Sequence, residues 1–160
     1  AKFNRSKSNV TSGGLGTMGF GLPAAIGAWY GTPDRTVVAI IGDGGFQMTI
    51  QELGTIMQFG AKVKILILNN QFLGMVRQWQ QLFHDQRYSF VNITSPDFVT
   101  VAKGYGIPGR RVTDRTDLKQ ALQDMLAHDG SYLLEIMVGK ENNVFPMVPQ
   151  GSSVAEIRLK

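Results

Sequence analysis

The sequence predicts an α/β chain built on a doubly wound parallel sheet with helices on both faces. Three observations carry this reading. Residues 36–41 (TVVAII), 63–68 (VKILIL) and 132–138 (YLLEIMV) are short apolar runs rich in branched side chains, as in strands covered on both faces. Between the first two, Phe46, Ile50, Leu53, Met57 and Gly60 recur at three- and four-residue steps, giving a crossover helix one buried stripe. A strand-helix-strand unit makes its strands parallel with a right-handed crossover, and ligands gather at the carboxyl ends of such strands. The first two strands end in polar residues, Asp43 on one and Asn70 on the other.

Taken in order, residues 1–9 hold few apolar side chains and read as a poorly ordered linker remnant. Opening without methionine and almost directly on a motif, the chain reads as a piece of a longer protein. Residues 13–21 (GGLGTMGFG) form a glycine-rich loop, and residues 22–30 a helix that tolerates Pro23 in its first turn. GTPD at 31–34 turns the chain into the first strand. After the second strand, Phe72, Met75, Val76, Trp79 and Phe83 fall on one side of a helix over 72–83, with Val76 and Phe83 expected in the core. Ser95-Pro96-Asp97 starts a helix with proline at its first position, and residues 106–112 include a short strand. Leu118, Leu122, Met125 and Leu126 mark a further helix, which Gly130 stops before the last strand. The sequence thus supports three or four strands within a domain over 10–139, followed by a polar, proline-containing tail over 140–160.

Composition narrows the function classes. With 160 residues, 43% hydrophobic and 18% charged, the chain matches one ordinary globular domain. It has no cysteine, which excludes disulfides, thiolate nucleophiles and zinc–thiolate sites and fits a cytoplasmic location. No apolar run approaches the roughly 20 residues of a membrane span. The net charge of +4 is dispersed, densest at Lys2, Arg5 and Lys7, and reads as a solvated tail, with neither nucleic acid nor membrane as partner.

The two strand ends suggest a metal and an anion. Neighbouring strands lie about 4.8 Å apart, so a carboxylate at 43 and an amide at 70 can share one small ion. Magnesium takes oxygen ligands, commonly one or two carboxylates together with phosphate oxygens. Gly44 and Gly45, which follow Gly42 and Asp43, put no Cβ in the way of an anion at the helix start. Gly14, Gly16 and Gly19 also satisfy G-x-G-x-x-G, which raises a dinucleotide-binding Rossmann domain as the alternative. The preceding residues 9–12 are, however, too short and polar for the buried strand that fingerprint requires.

Gly42-Asp43-Gly44, then residues 45 to 68, then Asn69-Asn70 resembles the cofactor motif of thiamine diphosphate enzymes. TSGGLGTMGFGLPAAIGA at 11–28 and NNQFLGMVRQW at 69–79 narrow the resemblance to the acetohydroxyacid (acetolactate) synthases, specifically the C-terminal diphosphate-binding domain of their catalytic subunit. The resemblance implies a thiamine diphosphate-binding fold of about six strands. It implies Mg²⁺ on Asp43, Asn70 and the Phe72 carbonyl, and cofactor contacts from Gly16, Thr17, Met18, Gly42, Asp43, Gly44, Gly45, Asn70, Phe72, Gly74 and Met75. The Gly16 carbonyl would accept from the cofactor's 4′-amino group and Met18 would wedge beneath it, with Met75 and Trp79 lining the substrate channel. It implies decarboxylation of pyruvate and transfer of the two-carbon unit to pyruvate or 2-ketobutyrate, in branched-chain amino acid biosynthesis. The activating glutamate belongs to another domain, so no catalytic residue is expected on this chain. Glu52, inside the crossover helix, does not take that place. FAD is expected only in the intact enzyme, as are homo-oligomerisation and a regulatory subunit, and the fragment alone is expected to be inactive. The nearest alternative is another thiamine diphosphate 2-keto acid decarboxylase or carboligase.

Overall fold

A computed structural model describes residues 3–159; Lys2 and the rest of positions 1, 2 and 160 lie outside the described residues. In chain order the elements are α1 (Gly21–Gly31), β1 (Val37–Gly42), α2 (Asp43–Gln47), α3 (Glu52–Phe59), β2 (Val63–Asn69), α4 (Gly74–Phe83), α5 (Phe98–Gly104), β3 (Gly109–Val112), α6 (Leu118–Ala127) and β4 (Tyr132–Met137). The strands form one sheet in the order β1-β2-β4-β3, with every neighbouring pair parallel. This is the doubly wound α/β architecture expected.

The two faces are covered unequally. Leu22, Ile26, Phe46, Leu53, Ile56 and Phe98, from α1, α2, α3 and α5, pack on Ala39, Ile41, Val63, Ile65, Ile67 and Leu133. On the opposite face, α6 buries Ala121 and Met125 against Val112 and Leu134. β1 alternates strictly: Ala39 and Ile41 point into the first core, while Val38 and Ile40 remain 40% and 65% exposed. Four strands are found among the described residues, against the six or so that the resemblance implied. Three of the four strands are the apolar runs of the sequence, the fourth, β3, is the polar edge segment GRRV, and β1 stands at the other, open edge.

The crossover differs from the single helix expected. Residues 48–51 close on i to i−3 bonds, including Thr49 N to Phe46 O at 3.2 Å and Glu52 N to Thr49 O at 3.0 Å. Three residues per turn advance the helical phase relative to 3.6. Ile56 is therefore buried and Met57, expected in the stripe, is 59% exposed. Gly60 ends α3 in the left-handed region at φ 64°, where glycine is favoured. Helix α5 starts later than expected: Asp97 is its cap, accepting from Thr100 N at 3.2 Å, and Pro96 lies outside it.

In α4 the expected core stripe is also displaced. Val76 is exposed, Phe83 half-buried, and Arg77 and Gln78 are buried instead. Gln78 holds the tail, donating to Val144 O at 3.0 Å and accepting from Val144 N at 2.7 Å. A side-chain amide that pairs with both the N–H and the C=O of one residue is buried with its polar atoms partnered. Phe72 precedes the helix and pairs with Asn92 as an isolated antiparallel bridge.

Strand β3 approaches β4 closely at Gly109, where a methyl group would stand 2.8 Å from Leu133 O. Gly109→Ala is expected to cost about 1–3 kcal/mol, read as a lower urea midpoint with an unchanged slope.

Candidate functional site at the carboxyl edge of the sheet

The register of β1 on β2 places Gly42 opposite Leu68, so Asp43 and Asn69 leave the sheet at one level and Asn70 follows one residue on. Asp43 opens α2 and is 1% exposed. Its Oδ2 accepts from Ser95 Oγ at 3.0 Å, whereas its Oδ1 is buried with no hydrogen-bond partner. Burying an ionised carboxylate with a bare oxygen is costly unless a cation or donor meets it.

The β2 terminus is held by side chains. Asn69 Oδ1 accepts from Gln71 N at 3.1 Å, and Asn70 Oδ1 accepts from Phe72 N at 3.1 Å. Gln71, between Asn70 and Phe72, adopts φ 59°, a region that side-chain-bearing residues seldom occupy. Ile93 N donates to Gln71 O at 3.0 Å and Leu73 N to Val91 O at 2.8 Å; neither bond uses the Phe72 carbonyl. Behind the turn, buried Glu135 accepts from Asn69 Nδ2 and from Arg111 Nε, each at 2.7 Å. Arg111 Nη2 reaches Asp97 Oδ1 at 3.2 Å. The bond to Glu135 raises the Arg111 pKa, and the Thr100 amide and hydroxyl, with a smaller contribution from Arg111, hold the Asp97 carboxyl below its ordinary range.

The glycine-rich loop meets this edge. Gly16, at φ 57°, caps a 3-10 turn over Gly13–Leu15, and Thr17 N donates to Ser12 Oγ at 3.1 Å. A methyl group at Gly44 would lie 2.9 Å from Leu73 Cδ2, 3.2 Å from Ile93 Cδ1 and 3.6 Å from Met18 Cε. Met18, Gly44 and the turn after β2 therefore converge, although they are distant in sequence. Gly45 packs beside Ile41 and Gly19, and Gly74 approaches Asn70 Nδ2 closely enough that a methyl there would stand 3.3 Å away. Met75 is exposed on the first turn of α4. Trp79, half-buried one turn on, lies against the Phe83 ring at 4.8 Å. Glu52 accepts from Thr55 Oγ1 at 2.8 Å within its own helix.

Among the described residues no strand precedes the G-x-G-x-x-G loop, and residues 9–12 carry no regular structure. The strand-turn-helix context of a dinucleotide fingerprint is thus missing. Among the described residues no three His, Cys, Asp or Glu side chains group together as metal ligands. The donors expected here are one carboxylate, one amide and one backbone carbonyl, a set suited to a hard cation that keeps further oxygen ligands. The bare Asp43 Oδ1 fits such a group.

The family described as thiamine pyrophosphate enzyme, C-terminal TPP binding domain, matches residues 1–136. The chain belongs to that family. This TPP-binding domain is 50% identical over 157 residues to the acetolactate synthase isozyme 2 large subunit of Escherichia coli K12, covering 98% of the chain and 29% of that protein. It is 48% identical over 155 residues to the mitochondrial acetolactate synthase catalytic subunit of Aspergillus candidus, covering 97% and 22%. Among solved structures it resembles the thiamine diphosphate-dependent 4-hydroxybenzoylformate decarboxylase of Rhodococcus jostii RHA1, with a TM-score of 0.73 and 36% identity over 78% of the chain and 24% of that one. The chain thus spans about a quarter of the length of the curated relatives it matches. No helix among the described residues of the TPP-binding domain is long and apolar enough to cross a membrane.

Sequence reasoning passed over Ser95, Arg111 and Glu135. One signal was available: Glu135 is the one charge in the apolar run 132–138, and a buried charge requires a partner. Glu135→Ala orphans the buried Asn69 amide and is expected to cost about 1–3 kcal/mol, measured by urea denaturation. Glu135→Gln, which can still accept from Asn69, is expected to cost less.

Proposed function

We propose that this domain binds thiamine diphosphate through Mg²⁺ held by Asp43, Asn70 and the Phe72 carbonyl, as the cofactor domain of an acetolactate synthase. The observation that carries the reading is the buried, unpartnered Oδ1 of Asp43 at the end of β1, beside the turn that presents Asn70. A divalent cation there would meet the buried, unpartnered oxygen of the carboxylate, and Asn70 Oδ1 retains a lone pair beyond the one given to Phe72 N.

Gly42, Gly44 and Gly45 would leave room for the diphosphate against the backbone. Gly16 and Thr17 would border the ring of the cofactor, with Met18 packed below it, and Gly74 and Met75 would close the opposite side. The cofactor supplies the carbon–carbon chemistry when bound. The chain's own residues anchor it, orient it and exclude water from it. No side chain of this domain is assigned an acid or base role, and the activating carboxylate is assigned to a domain outside this chain.

For the whole protein the proposed reaction joins the two-carbon unit of pyruvate to a second pyruvate or to 2-ketobutyrate, with Met75 and Trp79 along the substrate's approach. FAD, self-association and a regulatory subunit belong to the same proposal, as does a cytoplasmic location. The likeness to acetolactate synthases in residues 69–79 supports the substrate class over other thiamine diphosphate enzymes.

Asp43→Ala in the full-length protein is expected to weaken Mg²⁺-dependent thiamine diphosphate binding by more than the roughly 100-fold upper range of outer-layer changes. Calorimetric titration with and without Mg²⁺ measures it, and unchanged affinity removes Asp43 from the ligand set. Trp79→Leu is expected to raise KM for the 2-keto acid severalfold while leaving cofactor affinity near the parent value. Steady-state kinetics beside the same titration separates the two effects.

A further inference from the structure

We infer that Ser95 is a positioning residue for the Asp43 carboxylate, holding one oxygen so that the other is presented to the cation; this rests on the cofactor reading above and adds a residue to it. Ser95 Oγ donates to Asp43 Oδ2 at 3.0 Å, and Gln47 Nε2 donates to Ser95 Oγ at 3.4 Å. A hydroxyl has one proton and two lone pairs. With Gln47 occupying a lone pair, the serine proton is directed to Asp43.

The hydroxyl is also anchored from behind. Two residues on, Asp97 caps α5 through Thr100 N and accepts from Arg111 Nη2, and Arg111 is bound to Glu135 on β4. Ser95 is thereby tied to β3 and β4, while Asp43 belongs to the end of β1. The terminal torsion of an aspartate is broad and twofold, so burial alone does not select which oxygen faces the ligand. The Ser95 bond does: Oδ2 is engaged and Oδ1 is left bare. Nothing in the G-D-G pattern specifies this, because the serine lies 52 residues away.

The test measures Mn²⁺ affinity of the full-length protein in the presence of thiamine diphosphate, by the electron paramagnetic resonance signal of free Mn²⁺. Ser95→Ala is expected to lower affinity about 10-fold or more, as for outer-layer partners of metal ligands. The melting temperature without metal is expected to stay near that of the parent. Ser95→Thr, which restores the hydroxyl, is expected to retain most of the affinity. Parent-like affinity in Ser95→Ala overturns the inference, as does a threonine variant as weak as the alanine one. A drop in metal-free melting temperature that accounts for the lost affinity would make Ser95 a general stabiliser and also overturns it. If the parent itself takes up no Mn²⁺ with the cofactor, the cofactor reading fails first and the inference with it.

Discussion

The parallel pairing of β1 with β2 is the constraint on which the carboxyl edge depends. Six residue pairs from Val37–Val63 to Gly42–Leu68 bring two chain segments to the rim at the same height. A slip of one residue would reverse which side chains face the core. A slip of β1 would take Ala39 and Ile41 off the packed face, one of β2 would take off Val63, Ile65 and Ile67, and in either case the level relation of Asp43 to Asn69 would be lost. The hydrophobic register therefore fixes the polar geometry: the same contacts that bury the core set where the carboxylate and the amides emerge.

Strand β2 is pinned to its other neighbour by polar groups at both ends. Near its start, buried Lys64 donates to the carbonyls of His128 and Gly130, just before β4 begins. Burial lowers the Lys64 pKa, and the nearby Asp129 carboxylate counters that effect. At its end, Asn69 binds Glu135 on β4. A strand slip would break these bonds inside the protein, where an unpaired polar group costs far more than in water. Polar pairs thus reinforce a register that apolar packing alone would hold less firmly.

The strands and most helices were legible in the sequence because apolar periodicity is a local signal. The convergence of Asp43 and Asn70 on one rim followed from the crossover rule, which needs no knowledge of side-chain contacts. The break at 48–51 was not legible, since Thr49 gains a bond to Gly19 O across 30 residues of chain, and no local pattern encodes it. Arg77 and Gln78 were hidden for a similar reason: their burial depends on a tail that returns 66 residues later. Ser95 looked like part of a helix start, and only the fold turns its hydroxyl toward Asp43.

The turn after β2 carries a consequence of its own. Gln71 is kept in an unfavourable backbone region by Asn69 on one side and Ile93 on the other. That strain persists only because its surroundings over-determine it. The loop is in this way preorganised: its conformational entropy is surrendered during folding, so a ligand arriving there does not have to order it. Relaxing residue 71 to glycine would leave the donor atoms chemically intact but remove their rigidity. Weaker capture would then arise from disorder in the empty state, with no contact to the ligand lost.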